Sequence, residues 1–214
     1  MTAKPKILFL YPALAVDTDF LLKTFELLSD RYNITVVTPE RVGFPNLGIA
    51  EKTVSAAERQ AAAPNVRIVT LPLLHPTHRY ARTLYRPIAL ARVLREIRPD
   101  VVHACSEVFS PTLTQAIATL RFLRIPSRIV NFSFENLDWY RFPFSWVGRW
   151  NLARIDAVFA VNREAVDEAR KFGEPKQVFG SGFACDLALF PFREHLPPTG
   201  NVRIGFIGRM VDEK

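Results

Sequence analysis

The chain has 214 residues, 49% of them hydrophobic and 23% charged, so it can bury one sizeable core, or one domain plus a fragment of another, at an ordinary globular charge density. Lys and Arg number 28 against 21 Asp and Glu, a net charge of +7 that fits a solvated basic surface, or an anionic ligand, an anionic lipid or nucleic acid as partner. Cys105 and Cys185 lie far apart with no C-x-x-C spacing, which argues against a disulfide framework or a zinc knuckle and fits a reducing compartment.

Lys4 and Lys6 precede an apolar run over residues 7–16 that resembles the core of a short signal peptide, but Pro12 interrupts it and residues 7–11 make a good first strand. No run approaches the roughly 18–20 apolar residues of a membrane span. Asp17, Thr18 or Asp19 can cap a helix whose face is Leu21, Phe25, Leu28 and Tyr32. Residues 34–38 form a β-branched strand. Residues 39–64 read as a long loop with at most one helical turn, the kind of segment that is usually functional or disordered. A strand follows over residues 66–71.

Residues 84–98 predict a helix with Leu90, Val93, Leu94 and Ile97 on one face and Arg92, Arg95 and Glu96 opposite. Pro99 stops it, and residues 100–105 return as a strand that ends at Cys105, a small buried hydrophobe on this reading. Residues 110–123 are a helix with Pro111 in its first turn, residues 128–132 a strand, and residues 145–154 a helix. Residues 156–161 are a strand, Asn162 caps a helix that ends at Gly173, and residues 177–180 are the last strand of the unit. Pro197-Pro-Thr-Gly200 reads as a linker, and Val202, Ile204, Phe206 and Ile207 as a new strand running into a turn at Gly208 and Arg209. Short, continuously apolar strands alternating with helices predict an α/β fold with a doubly wound parallel sheet. Its ligands belong at the carboxyl ends of the strands, just after Tyr11, Cys105, Phe132 and Val161.

Three common signatures of such sheets are missing from the sequence: G-x-G-x-x-G, G-x-x-x-x-G-K-[ST] and G-x-S-x-G. His75 and His78 read as loop histidines, His103 as a core histidine within its strand, and His195 lies in the linker region. The aromatic and cationic run Trp139-Tyr-Arg-Phe-Pro-Phe-Ser-Trp146, with Arg149, Trp150 and Arg154 beyond it, suits stacking on sugar rings, a lipid interface, or a helix that packs two Trp into the core.

Four stretches in order carry a family resemblance. Arg98-Pro-Asp-Val-Val-His-Ala-Cys105 resembles a "P-D-V-V-H" strand, and Asp156-Ala-Val-Phe-Ala-Val-Asn-Arg-Glu164 an "A-D-x-V-x-A-x-S/N" strand and helix start. Gly182-Phe-Ala-Cys-Asp-Leu-Ala-Leu-Phe-Pro191 resembles "G-V-D-x-x-x-F-x-P", and Ile204-Gly-Phe-Ile-Gly-Arg-Met-Val-Asp-Glu-Lys214 resembles "G-R-L-x-x-E-K-G". Together they resemble the amino-terminal half of a retaining glycosyltransferase of the two-domain GT-B fold, in glycosyltransferase family 4. The resemblance implies a Rossmann-like amino-terminal, acceptor-side domain over residues 1–196, a linker over 197–201, and the opening of a truncated, nucleotide-sugar-binding domain over 202–214.

The implied reaction moves a sugar from a nucleotide-diphosphate donor to a sugar, lipid-linked or small-molecule acceptor with retention. The nucleotide sugar is a substrate, and no cofactor or metal is expected. Arg209 and Lys214 match the family's contacts to the departing diphosphate, where preorganised cations lower the barrier. The sequence departs from the family's pattern at two places: Pro12-Ala-Leu-Ala-Val-Asp17 has no Gly-Gly pair, and Asn131-Phe-Ser-Phe-Glu-Asn-Leu137 has no histidine. Glu135 and Asn136 stand near that second place as the catalytic candidates, a carboxylate that accepts hydrogen bonds and an amide that does both. Asp17, Glu107, Trp139 and Arg141 are the acceptor-side candidates. The resemblance places the protein in the cytoplasm, with a peripheral contact to an anionic membrane, no nucleic-acid partner, and a fragment inactive by itself. Two other readings stand beside it: an epimerase or hydrolase of sugar nucleotides on the same fold, and a non-catalytic basic membrane-docking domain, motivated by Arg92, Arg95, Arg121, Arg124 and Arg128.

Overall fold

A computed structural model describes residues 3–12, 19–44, 49–53, 55–75, 83–134 and 140–180. The expected linker and second-domain strand, with Arg209 and Lys214, fall outside these residues, as do Asp17, Glu135, Asn136 and Trp139. Seven strands form one parallel sheet: β1 (Lys6–Leu10), β2 (Asn33–Pro39), β5 (Arg67–Leu71), β6 (Val101–Cys105), β7 (Arg128–Ser133), β8 (Ala157–Ala160) and β9 (Val178–Gly180). Their spatial order is β5-β2-β1-β6-β7-β8-β9. This is the doubly wound, Rossmann-like order, with the direction of winding reversing between β1 and β6.

That order fixes where the helices go. Right-handed crossovers on opposite sides of the reversal put their helices on opposite faces. Helices α1 (Asp19–Leu28) and α2 (Ala56–Ala62) precede it, and Leu22 and Phe25 pack with Phe9, Ile34, Val36 and Ile68 on one face. Helices α3 (Pro87–Ile97), α4 (Pro111–Leu123), α5 (Phe144–Leu152) and α6 (Arg163–Arg170) cover the other face. There Leu90, Leu94, Leu113, Ile117 and Leu152 meet Leu8, Leu10, Val102, Ile129 and Val158. The four residues expected on one face of α3 are its buried residues. Asn162 caps α6, its Oδ1 accepting from the Ala165 N–H at 2.8 Å.

Two aspartates of the quoted motifs tie the amino ends of the strands. Asp100 Oδ2 accepts from the Lys6 N–H at 2.7 Å, and Asp156 Oδ2 accepts from the Ile129 N–H at 2.8 Å. Each stands just before one strand and holds the start of its neighbour. Both therefore lie at the end of the sheet opposite the one where ligands belong.

The segment read as a long loop is instead largely regular. Strands β3 (Arg41–Phe44) and β4 (Ile49–Thr53) form an antiparallel ribbon, with Arg41 opposite Thr53 and a shift in register between Val42 and Phe44. Helix α2 follows at once because Ser55 and Glu58 have the spacing of a capping box. The Ser55 hydroxyl accepts from the Glu58 N–H at 3.2 Å. Helix α3 also begins later than the periodicity suggested, at Pro87, whose fixed φ and missing N–H suit a first helical position.

Only one of the two tryptophans of α5 packs inward. Trp150 lies against the larger core with the Arg154 guanidinium 4.2 Å from its ring centroid, whereas Trp146, one turn earlier, is 67% exposed. Gly148 between them passes close to the chain just after α6: a Cβ there would sit 2.2 Å from Cδ1 of buried Phe172. Gly148→Ala is expected to destabilise the protein by about 1–3 kcal/mol through overpacking, read as a lower urea midpoint at an unchanged slope. Gly180→Ala, with nothing within 4 Å of the added carbon, serves as the control.

Candidate active site

The carboxyl ends of β1, β6, β7 and β8 come together at one edge of the sheet, and the winding reversal makes the ends of β1 and β6 the switch point where ligands enter sheets of this order. The turn after β6, Ser106-Glu107-Val108-Phe109-Ser110, is buried throughout. A buried turn must satisfy its main-chain polar groups from side chains. Asn131 of β7 donates its Nδ2–H to the Ser106 carbonyl. Asn151 of α5 donates Nδ2–H to the Val108 carbonyl at 2.7 Å and, more weakly, to that of Ser110 at 3.4 Å. Ser110 then caps α4, its Oγ accepting from the Thr112 N–H at 3.1 Å. Thr112 in turn donates Oγ1–H to the Thr83 carbonyl at 2.6 Å.

Glu107 sits in the middle of this turn and is 3% exposed. Its Oε2 accepts from the Ser133 hydroxyl at 2.5 Å and its Oε1 from the Phe134 N–H at 3.1 Å. An ionised carboxylate is costly to bury unless it is bonded, and bonds to it are stronger than neutral ones. Three polar atoms beside the turn, Ser106 Oγ, Asn131 Oδ1 and Asn151 Oδ1, are buried without a partner among the described residues. The site is thus polar beneath an apolar rim, with Phe134 38% exposed at the end of β7.

Beneath this switch point the groups are electrically quiet. His103 is ringed by Phe9, Phe132 and Phe159, with centroids 5.0, 6.3 and 6.3 Å away, and burial pushes its pKa down to about 4. Burial pushes the Cys105 thiol up to about 12, and its Sγ lies 3.4 Å from His103 Nδ1. Tyr85, fully buried, is raised well above the usual phenol range by burial first and by Cys105 second. Near neutral pH all three are uncharged, which suits a core role and leaves Cys105 a poor nucleophile. Among the described residues no group of three or more His, Cys, Asp and Glu side chains could hold a metal ion.

Of the residues singled out from sequence, the structure places two. Glu107 lies at the β6–β7 edge as described. Arg141 is exposed three residues before α5, beside Tyr140, whose ring lies 5.3 Å from the Arg149 guanidinium carbon and whose hydroxyl accepts from Arg149. Ser133, Asn131 and Asn151 were not anticipated. The available signal was polarity out of place: Asn131 and Ser133 alternate with Ile129 on the covered face of an otherwise apolar strand.

With this geometry in view, the sequence profile described as Glycosyltransferase Family 4 matches residues 24–180. The chain belongs to glycosyltransferase family 4. No protein of curated function matches it by sequence. Among solved structures, MurG of Acinetobacter baumannii superposes with a TM-score of 0.47 at 11% identity, over 86% of this chain and 47% of that one. The Bacillus cereus spore cortex-lytic enzyme SleL gives 0.39 at 9% identity, over 83% and 50%, and a family 18 chitinase from Crocus vernus 0.38 at 12%, over 86% and 85%. The family 4 chain therefore spans about half the length of the MurG chain. Its fold class rests on its own strand order rather than on these superpositions.

The half-buried His103 gives a test by pH. Its folded pKa of about 4 lies below the ordinary 6.5, so the unfolded chain takes up the proton first as the pH falls. Stability from this group is complete above pH 6.5 and is lost progressively down to about pH 4. In His103→Gln the unfolding free energy, measured by urea titration across that window, is expected to depend less steeply on pH.

Proposed function

We propose that this chain is the acceptor-side part of a two-domain enzyme that transfers a sugar from a nucleotide-diphosphate donor to an acceptor with retention at the anomeric carbon. The observation that carries the reading is the family 4 match over residues 24–180, laid on a doubly wound sheet that gathers the ends of β1, β6, β7 and β8 at one edge. In this reading residues 1–196 form the acceptor-side domain, residues 197–201 the linker, and residues 202–214 open the donor-binding domain. As the glycosyl bond breaks, negative charge grows on the departing nucleoside diphosphate. Arg209 offers a bidentate fork to it and Lys214 a point charge. Glu135 and Asn136 are the catalytic candidates of this reading, a carboxylate and an amide able to bond hydroxyl groups of the substrates. Asp17, Glu107, Trp139 and Arg141 are its acceptor-side candidates. The donor is a substrate, and no cofactor or metal is assigned to the step.

The acceptor is a sugar, a small molecule or a lipid-linked glycan, met at the cytoplasmic face of an anionic membrane. Supporting this are Phe142 and Trp146, 84% and 67% exposed where α5 begins, with exposed Arg141 and Arg149 beside them. Between residues 140 and 155 there are three arginines and no acidic residue. Aromatics at the headgroup level and cations facing anionic lipid are the usual components of a peripheral contact. No helix of the described residues is long and apolar enough to cross a membrane.

The test is a polypeptide that includes a second αβ domain after Lys214, assayed for nucleoside diphosphate release from a panel of sugar nucleotides with and without acceptors. Release that depends on acceptor, absent from the 214-residue chain, is the expected outcome. Release without acceptor points instead to hydrolysis. Arg209→Ala in that polypeptide is expected to lower turnover at least about tenfold, or about 1.4 kcal/mol of barrier; unchanged turnover removes Arg209 from the mechanism. Phe142→Ser with Trp146→Ser is expected to weaken sedimentation with vesicles containing anionic phospholipid. Equal binding by the double variant excludes this surface as the contact.

A further inference from the structure

We propose that the outer face of the α3–α4–α5 layer is a docking surface for an anionic phospholipid membrane, on which the sheet lies flat with its ligand edge opening sideways above the headgroups. The inference extends the contact at the start of α5 to three helices and gives it an orientation. It rests on the transferase reading only for the chemistry of the acceptor. Three observations carry it.

First, charge is segregated by helix. Helices α3, α4 and α5 carry Arg92, Arg95, Arg121 and Arg149 against a single carboxylate, Glu96, which is paired with Arg67 at 2.8 Å. Helices α1, α2 and α6 carry four cations against six carboxylates. Positive charge is thus concentrated on one layer, and anionic lipid attracts it.

Second, the exposed apolar side chains follow the charge. Among the described residues five large apolar side chains are at least 67% exposed, and four of them, Ile88, Phe122, Phe142 and Trp146, belong to this layer. On α3 the exposed Ile88, Arg92 and Arg95 lie opposite the buried face, and on α4 so do Ala118, Arg121 and Phe122. Single apolar side chains set among arginines suit a lipid interface that each can enter separately. A protein partner calls for a contiguous apolar centre inside a polar rim.

Third, these groups span both ends of the layer. Crossover helices run antiparallel to the strands, so Ile88, Phe142 and Trp146 lie toward the ligand edge. Phe122 and Arg121 lie at the opposite end, with exposed Arg98, Arg124 and Arg128. Contact through the edge alone reaches the first set, whereas a flat pose reaches both. Among the described residues Arg98 and Arg124 are the only non-glycine residues with positive φ, at 47° and 53°. Their loops adjoin, the Ser127 hydroxyl donating to the Pro99 carbonyl at 2.6 Å. Glycine would relax the backbone at both positions, and arginine instead keeps a cation there.

The flat pose sets the height of the site. One helix layer, about 10 Å thick, separates the sheet from the lipid. The acceptor is therefore a lipid-linked glycan whose reacting hydroxyl stands about that far above the headgroups, rather than a hydroxyl of the lipid backbone.

The test uses the polypeptide that carries both domains and vesicles of equal parts phosphatidylcholine and phosphatidylglycerol. Flotation with these vesicles, and not with phosphatidylcholine alone, is expected to weaken at least about tenfold between about 0.1 M and about 0.5 M salt. Phe122→Ser, and Arg98→Gly combined with Arg124→Gly, are each expected to weaken binding about tenfold. The glycine pair removes two cations while relaxing the backbone, so its urea midpoint is expected to hold or rise, and lost binding in it is not loss of fold. Unchanged binding by Phe122→Ser overturns the flat pose. Binding to poly-L-glutamate without binding to vesicles marks an acidic protein partner and overturns the lipid assignment. With a nucleotide-diphosphate sugar as donor, Phe122→Ser is expected to lower transfer to a lipid-linked glycan about tenfold and to leave transfer to the same glycan free in solution within about twofold. Equal losses on both acceptors overturn the proposal as well. Absence of transfer by the unsubstituted polypeptide defeats the transferase reading, and vesicle binding then decides the surface by itself.

Discussion

The reversal of strand order between β1 and β6 is the constraint on which the rest of this structure depends. A parallel sheet must be covered on both faces, and right-handed crossovers allow one arrangement of helices for a given strand order. With α1 and α2 on one face and α3 to α6 on the other, the crossovers that follow β1 and β6 lie on opposite faces, and the carboxyl ends of these two strands mark the switch point of the sheet. The amino ends are closed by contrast. There Asp100 and Asp156 bond the first N–H groups of neighbouring strands, and the motif positions that look most chemical prove to be ties in the frame.

Burial of the turn after β6 follows from the same packing. The start of α4 lies between α3 and α5, so the residues leading into it cannot reach water. Their carbonyls must find donors within the protein, and Asn131 and Asn151 supply them. The same enclosure turns Glu107 toward the end of β7, lowers the pKa of His103 and raises those of Cys105 and Tyr85 below. Neutral or fully bonded groups thus form the floor at the carboxyl ends of β6 and β7.

Much of the frame could be read directly from residue pattern. The three-residue and four-residue spacing of Leu90, Val93, Leu94 and Ile97 specified the buried face of α3, and Asn162 capped α6 as expected, although that helix ends at Arg170, before Gly173. Residues 39–64 were harder. The Ser55 and Glu58 capping pair was a legible local signal, but the β3–β4 ribbon depends on main-chain pairing between two short segments, which alternation over four or five residues specifies weakly. Trp146 and Trp150 occupy similar positions on one helix by spacing, and only their height relative to the sheet separates an exposed ring from a packed one.

By itself, the sequence determined the alternation of strands and helices, the parallel sheet, the faces of its longer helices and the family resemblance, because these depend on periodicity and on short motifs. The tertiary structure alone decided that Glu107 is buried and bonded to Ser133 and Phe134, that Asn131 and Asn151 hold the β6 turn, and that His103 is stripped of its charge. Those properties arise between residues 20 or more positions apart or from enclosure by several elements at once. Local pattern carries no record of them, because burial is set by what the rest of the chain places on top.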